Sequence, residues 1–245
     1  MPMRHMLVAL PLILAAPALA APIPASQLLI RQSSPNATWR WRVPPEVAEA
    51  PALLAAMRAE AVKTAVKARA SAAKDAASAA KAGFPFRRHE TIISWTLAAD
   101  APRLLALSGE TYANTGGAHG NTGYAVKIWD KATKRALTID QLFTDWPRAR
   151  KLLEPVYCKA LAQEQAQRRG GLAVGAFDTC PRLAEQPVVP WGALSTRAQQ
   201  FRVLLGPYTA GSYAEGSYLI TAPWPDAVKP LTRPAYRRDL FGDGE

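Results

Sequence analysis

Two cysteines and three histidines are all that this chain of 245 residues offers for thiol or imidazole chemistry. Cys158 and Cys180 stand without nearby histidines, and two thiolates cannot complete the tetrahedral shell that zinc requires. Neither a metal site nor a cofactor is expected. A G-x-S-x-G elbow, a cysteine–histidine pair and a P-loop are also missing, which removes the common nucleophilic hydrolases and nucleotide-dependent enzymes. No stretch beyond the first twenty residues approaches the ~20 consecutive apolar positions of a membrane span, so the remainder is expected to be soluble or peripheral. Acidic residues are the scarcer sign, 19 against 30 basic, for a formal net charge of +11.

What is present begins with an address. Residues 1–20 read as a signal peptide: Arg4 and His5 supply the charged start, Met6 to Ala16 an apolar run, and Ala18-Leu19-Ala20 the small residues that signal peptidase reads. Cleavage is expected after Ala20, with an uncleaved anchor as the alternative. No cysteine at the junction suggests a lipoprotein. The expected location is the periplasm or the exterior, where Cys158 and Cys180 can form a structural disulfide rather than remain two buried thiols. Losing Arg4 lowers the net charge by one only. A balance this basic favours anionic partners such as peptidoglycan carboxylates, lipid head groups or an acidic protein, while the compartment excludes nucleic acid.

Four portions follow from composition: the leader at 1–20, an N-terminal portion at 21–134, a C-terminal portion at 135–232 and a polar tail at 233–245, expected to fray. Residues 21–36 read as loose. Thr38 to Val43 alternates apolar and basic residues, the period of a half-buried strand, stopped by Pro44-Pro45. Residues 46–82 are alanine-rich and predict one long helix. Lys63, Lys67, Lys74 and Lys81 line one side of it, either an arm for an anionic surface or an ordinary solvated face. Its large apolar residues end at Val66, so its second half is expected either to lie close on a sheet or to be weakly anchored. Three strands are then predicted, at 88–98, 103–112 and 123–129. Thr138 and Gln141 form a capping box, 148–169 a helix with Pro155 kinking or restarting it, and 200–206 and 216–222 two further strands. The fold class is α+β, antiparallel strands with several packed helices.

The densest signal is Tyr112-Ala-Asn-Thr-Gly-Gly-Ala-His119-Gly-Asn-Thr-Gly-Tyr124, with four glycines and two asparagines in thirteen positions. Such a run is a constrained turn, here joining two strands and presenting His119. Tyr112, Asn114, His119, Asn121 and Tyr124 are candidate binding residues. His119 is also the one candidate general acid or base, or else it bridges the loop by hydrogen bonds to a tyrosine hydroxyl or backbone carbonyl. A second cluster, Tyr208, Tyr213 and Glu215, can stack on a sugar ring and accept its hydroxyls, or the tyrosines can complete the core.

The block from Tyr112 through Gly116-Gly117-Ala118-His119-Gly120, followed by Leu142-Phe143, resembles the extracytoplasmic domain of RsiV-type anti-sigma factors and of PdaC-type peptidoglycan deacetylases. Gly206-Pro207-Tyr208 to Gly216, then Ile220-Thr-Ala-Pro223, resembles the Pro-Tyr…Tyr-Ala-x-Gly element of the same domains. The likeness covers about residues 30–232. In the anti-sigma relatives the domain senses lysozyme by binding it; in the deacetylases it accompanies a separate catalytic domain. This chain shows neither a second membrane segment nor room for a deacetylase domain after 232, so the resemblance implies the bare module. A typical lysozyme is itself basic and would be repelled at long range. The expectation is therefore an envelope-binding module, non-catalytic, for a wall polymer or an envelope-active protein. Lysozyme binding or inhibition is the first alternative, and a wall-glycan hydrolase or deacetylase using His119 the second.

Overall fold

The computed structural model describes residues 24–172, 175–192 and 197–242; the leader expected at 1–20 lies outside them. Alternation builds β2 at Ala37–Arg42, turning Trp39 and Trp41 into the core and Arg40 and Arg42 outward. Before it, Leu29–Ser33 forms β1, antiparallel to β2, where the sequence reading had a loose segment. β1 lies at the edge of its sheet and none of its residues is fully buried, so its hydrophobic pattern carries little signal.

Pro44 and Pro45 end the strand in a 3-10 turn, Pro45–Glu49, and the helix proper, α1, runs Pro51–Ala82. It is the crossover that lets β3 (His89–Asp100) lie parallel to β2, a pairing that a purely antiparallel expectation misses. Beyond Met57 the helix is buried through Ala61, Ala65 and Ala72, the last two with no exposed surface. The alanine half therefore lies close on the sheet, where larger side chains would hold the axis away. Val62, Val66 and all four lysines of the stripe face outward.

β4 (Leu104–Asn114), β5 (Asn121–Asp130) and β6 (Arg135–Leu137) complete a six-stranded sheet in chain order. One face carries Trp39, Trp41, Trp95, Leu105, Leu107 and Trp129 against α1. The other buries Leu104, Ala106 and Ile128 against α2 (Trp146–Arg169) and a second sheet. That sheet is antiparallel, in the order β7 (Val188–Trp191), β8 (Gln200–Leu205), β9 (Tyr218–Pro223). β7 went unpredicted because Pro190 interrupts a run of four residues.

Gln141 accepts from the backbone N–H of Thr138 at 2.9 Å, opening a single 3-10 turn. Asp145 caps α2, which continues through Pro155 without restarting and ends at Gly170. Cys158 and Cys180 form a disulfide with Cα atoms 5.6 Å apart, tying α2 to the segment that leads into β7.

Over its described residues, 233–242, the tail is helical rather than frayed. Pro234–Phe241 forms α3, which buries Tyr236, Asp239 and Leu240. One oxygen of Asp239 accepts from the backbone N–H groups of Arg103 and Leu104 at 3.0 and 2.8 Å, satisfying the start of β4. Tyr236 donates to Asp130, which also takes the Arg103 guanidinium. Burial pushes the Asp130 carboxyl up, but the Arg103, Thr133 and Tyr236 donors outweigh it and hold its pKa at about 2. A polar composition hid this helix because its buried groups pair with one another. Among the described residues, no helix is long and apolar enough to cross a membrane.

Candidate functional site

Strands β4 and β5 reach further toward their turn than the sequence suggests, leaving only residues 115–120 as the connection. Inside it, Asn114 accepts from the N–H of Gly116 at 2.9 Å, and Gly116 takes a φ of 89°, a conformation that favours glycine. Gly120 is required for a different reason. A Cβ there would stand 2.3 Å from the ring of Tyr112, so that ring closes directly over the backbone.

The two sequence clusters meet at this loop. His119 stacks on Tyr213 with ring centroids 3.8 Å apart, and Tyr208 lies 5.7 Å from Tyr213. The Tyr213 hydroxyl donates to the Gly120 carbonyl at 2.9 Å, and His119 Nδ1 approaches the same oxygen at 2.9 Å. A carbonyl only accepts, so that contact needs the proton on Nδ1, and in the neutral ring Nε2 is left to face the Tyr208 hydroxyl at 3.5 Å. His119 and Tyr208 are both exposed. Tyr208 has a φ of 67°, a rare backbone for an aromatic residue and one stored only where surrounding structure enforces it.

That enforcement comes from α2. Arg169 Nε meets Glu215 Oε2 at 2.7 Å and donates through another nitrogen to the Ala210 carbonyl, while Arg168 donates to the carbonyls of Glu215 and Ser217. Glu215 also accepts from the Tyr218 hydroxyl at 2.5 Å and the Ser212 N–H at 2.8 Å. Tyr218's donation, with Arg169 and Ser212, overcomes burial and holds the Glu215 carboxyl at about 2. Both its oxygens are thus engaged in bracing the turn that carries Tyr208 and Tyr213. Arg168 and Arg169 belong to no motif in the sequence; a pair of arginines immediately before Gly170-Gly171 is the one available signal.

Tyr112 and Tyr124 lie on the sheet face away from α1, together with Glu110, Ser94 and Arg40, as the strand registers require. All five are partly or fully exposed, because the α2 layer covers only the other end of that face. Tyr124 approaches Glu110 at 3.4 Å, and its hydroxyl pKa is raised, first by burial and then by that carboxylate. Arg40 pairs with Glu90 at 2.7 Å. Asn121, at the start of β5, is exposed and accepts from the neighbouring Thr122 N–H. Lys63, Lys67, Lys74 and Lys81 stand on the outer side of α1, behind the opposite face, so the lysine stripe and the aromatic cluster are not one surface. No three His, Cys, Asp or Glu side chains converge as a metal ion would require among the described residues.

The fold is similar to that of solved structures described as members of the DUF3298 family. A member from Bacteroides fragilis NCTC 9343 superposes with a TM-score of 0.54 at 14% identity, covering 84% of this chain and 88% of that one. A DUF3298 family protein from Pseudomonas aeruginosa PAO1 gives 0.44 at 15% identity over 60% of this chain, which spans 63% of that protein's length. Within the fold, residues 41–122 match the family described as "Deacetylase PdaC", a span running from the end of β2 through α1 to the His119 loop. No curated protein matches the sequence.

Proposed function

We propose that this protein is an exported, extracytoplasmic module that binds an anionic glycan of the cell envelope and carries out no bond-breaking step of its own. The observation that carries this reading is the exposed His119–Tyr213–Tyr208 cluster, assembled from two distant segments and held by Arg168, Arg169 and Glu215. Flat aromatic faces fixed before the ligand arrives suit sugar rings, because little conformational freedom remains to be lost on binding. Arg42 on the adjoining sheet face, whose side-chain partner is the neutral Ser94 hydroxyl, supplies charge for carboxylates together with the basic balance of the chain, while Arg40 is already paired with Glu90. The PdaC family match supports an association with wall polymers, and the RsiV-type likeness supports a protein ligand instead.

Co-sedimentation with purified sacculi, run beside a lysozyme-inhibition assay, separates these readings. Retention should weaken about tenfold in Tyr208→Ala and in Tyr213→Ala, and should fall as salt rises. Lysozyme inhibition without retention would transfer the site to a protein ligand. Turnover of a wall glycan, abolished in His119→Ala, would overturn the non-catalytic reading.

A further inference from the structure

A second concavity lies on the opposite face of the large sheet, where the turn ahead of α1 meets the ends of β3 and β5. Its volume is about 370 Å³, enough for a molecule of amino-acid to short-peptide size. Leu105 and Trp129, both of the core beneath α1, line it. Asp100 and Lys131 at its rim neutralise each other, since the lysine donates to that carboxylate and to the Ala101 carbonyl.

Three charges remain. Glu46 and Glu49 come from the turn ahead of α1, and Lys134 from the β5–β6 turn. Among the described residues, no hydrogen bond or ion pair engages these three side chains. Glu46 is the telling one: its Oε2 is buried without a hydrogen-bond partner. Native structures seldom leave a carboxylate oxygen sequestered and undonated, because the water it gave up is not replaced. Lys134 is held at a φ of 54°, again a conformation that non-glycine residues rarely adopt.

We propose that this cavity binds a small zwitterion, a free amino acid or a short peptide. Its ammonium would lie on Glu46 and Glu49, its carboxylate toward Lys134, and its apolar side chain over Trp129 and Leu105. A simple anion meets two carboxylates here and a simple amine meets Lys134, so charge selects against both. The site is independent of the glycan reading, since the sheet separates it from the tyrosine cluster.

The test is a titration followed by the Trp129 indole N–H in nitrogen–proton correlation spectra. The probes are leucine, leucyl-leucine, N-acetyl-leucine and leucinamide. Leucine or the dipeptide should give a saturable shift, with both singly blocked forms at least about tenfold weaker; which of the two binds more tightly distinguishes free amino acids from peptides. Glu46→Gln and Lys134→Asn should each weaken binding about tenfold, asparagine being chosen because it tolerates the left-handed backbone. Should Glu46→Gln fail to fold, Lys134→Asn in an exposed turn still decides the matter. The proposal is overturned if neither zwitterion shifts Trp129 up to about 10 mM, if either blocked form binds as well as leucine, or if Lys134→Asn leaves affinity unchanged.

Discussion

Tyr208 combines an exposed ring with a backbone conformation that costs an L-residue free energy, and the two can be separated by substitution. Tyr208→Gly and Tyr208→Ala both remove the ring, but only glycine relieves the left-handed φ of 67°. In urea denaturation the glycine variant should be more stable than the alanine variant by about 1 kcal/mol, while both lose glycan retention alike. Equal stability would mean that the 206–211 turn relaxes and that Tyr208 is not held under strain. His119 illustrates how much of a site a single residue discloses. Its isolation among so few histidines made it conspicuous, yet nothing in the sequence indicated that Tyr213, ninety-odd positions later, would lie flat against it. The pairing depends on how the second sheet docks on the first, which no local pattern encodes. Glu215 was conspicuous for its neighbours, but Arg169, which engages its carboxylate, and Arg168, which engages its backbone carbonyl, lie on α2 and were invisible from the turn.

At the level of elements, strands with one dry face were legible. Alternation marked β2, and β3 to β5 were found with boundaries short by a few residues. β4 and β5 continue pairing into the solvated end at Asn114 and Asn121, where side-chain pattern fades, and β3 continues past a register shift between Leu97 and Ala99 that breaks its alternation. β1, β6 and β7 were missed, the first two for want of buried surface and the last because Pro190 interrupts a short run. α1 was visible from composition, and its alanines turned out to be a packing device rather than a sign of weak anchorage. The disulfide adds a connection that secondary structure does not supply, pinning α2 to the irregular segment after it. Replacing both cysteines by serine should lower stability by about 3 kcal/mol, read from urea midpoints with m unchanged. The His119–Tyr213 stacking should persist in that variant, because Arg168 and Arg169 lie about three turns beyond Cys158 on the same helix and hold the turn themselves. A loss of less than about 1 kcal/mol would show that the cross-link does not restrict the unfolded chain as loop closure requires.

Across the whole molecule, two depressed carboxylates sit at the seams between layers: Asp130 between the first sheet and α3, and Glu215 between α2 and the second sheet. A carboxyl whose folded pKa is lowered contributes stability while it is ionised in both states, and that contribution is lost as it is forced to protonate. With both at about 2, stability should hold from neutral pH down to about 5, then fall steadily as the pH approaches 2. Thermal melts across that range check this, and Asp130→Asn and Glu215→Gln should each flatten part of the slope. A pH-independent melting temperature down to about 3 would mean that neither seam depends on its charge. The Asp130 seam also decides where the chain can be cut. A boundary at residue 232, the end of the recognisable motifs, would remove Tyr236 and Asp239 together, stripping one donor from a buried carboxylate and leaving two amides at the head of β4 without an acceptor. A shortened protein of that kind would be prone to aggregate in any library of fragments and could be mistaken for an inactive domain. Tethers, reporters and affinity handles therefore belong beyond Phe241, with α3 kept intact ahead of them.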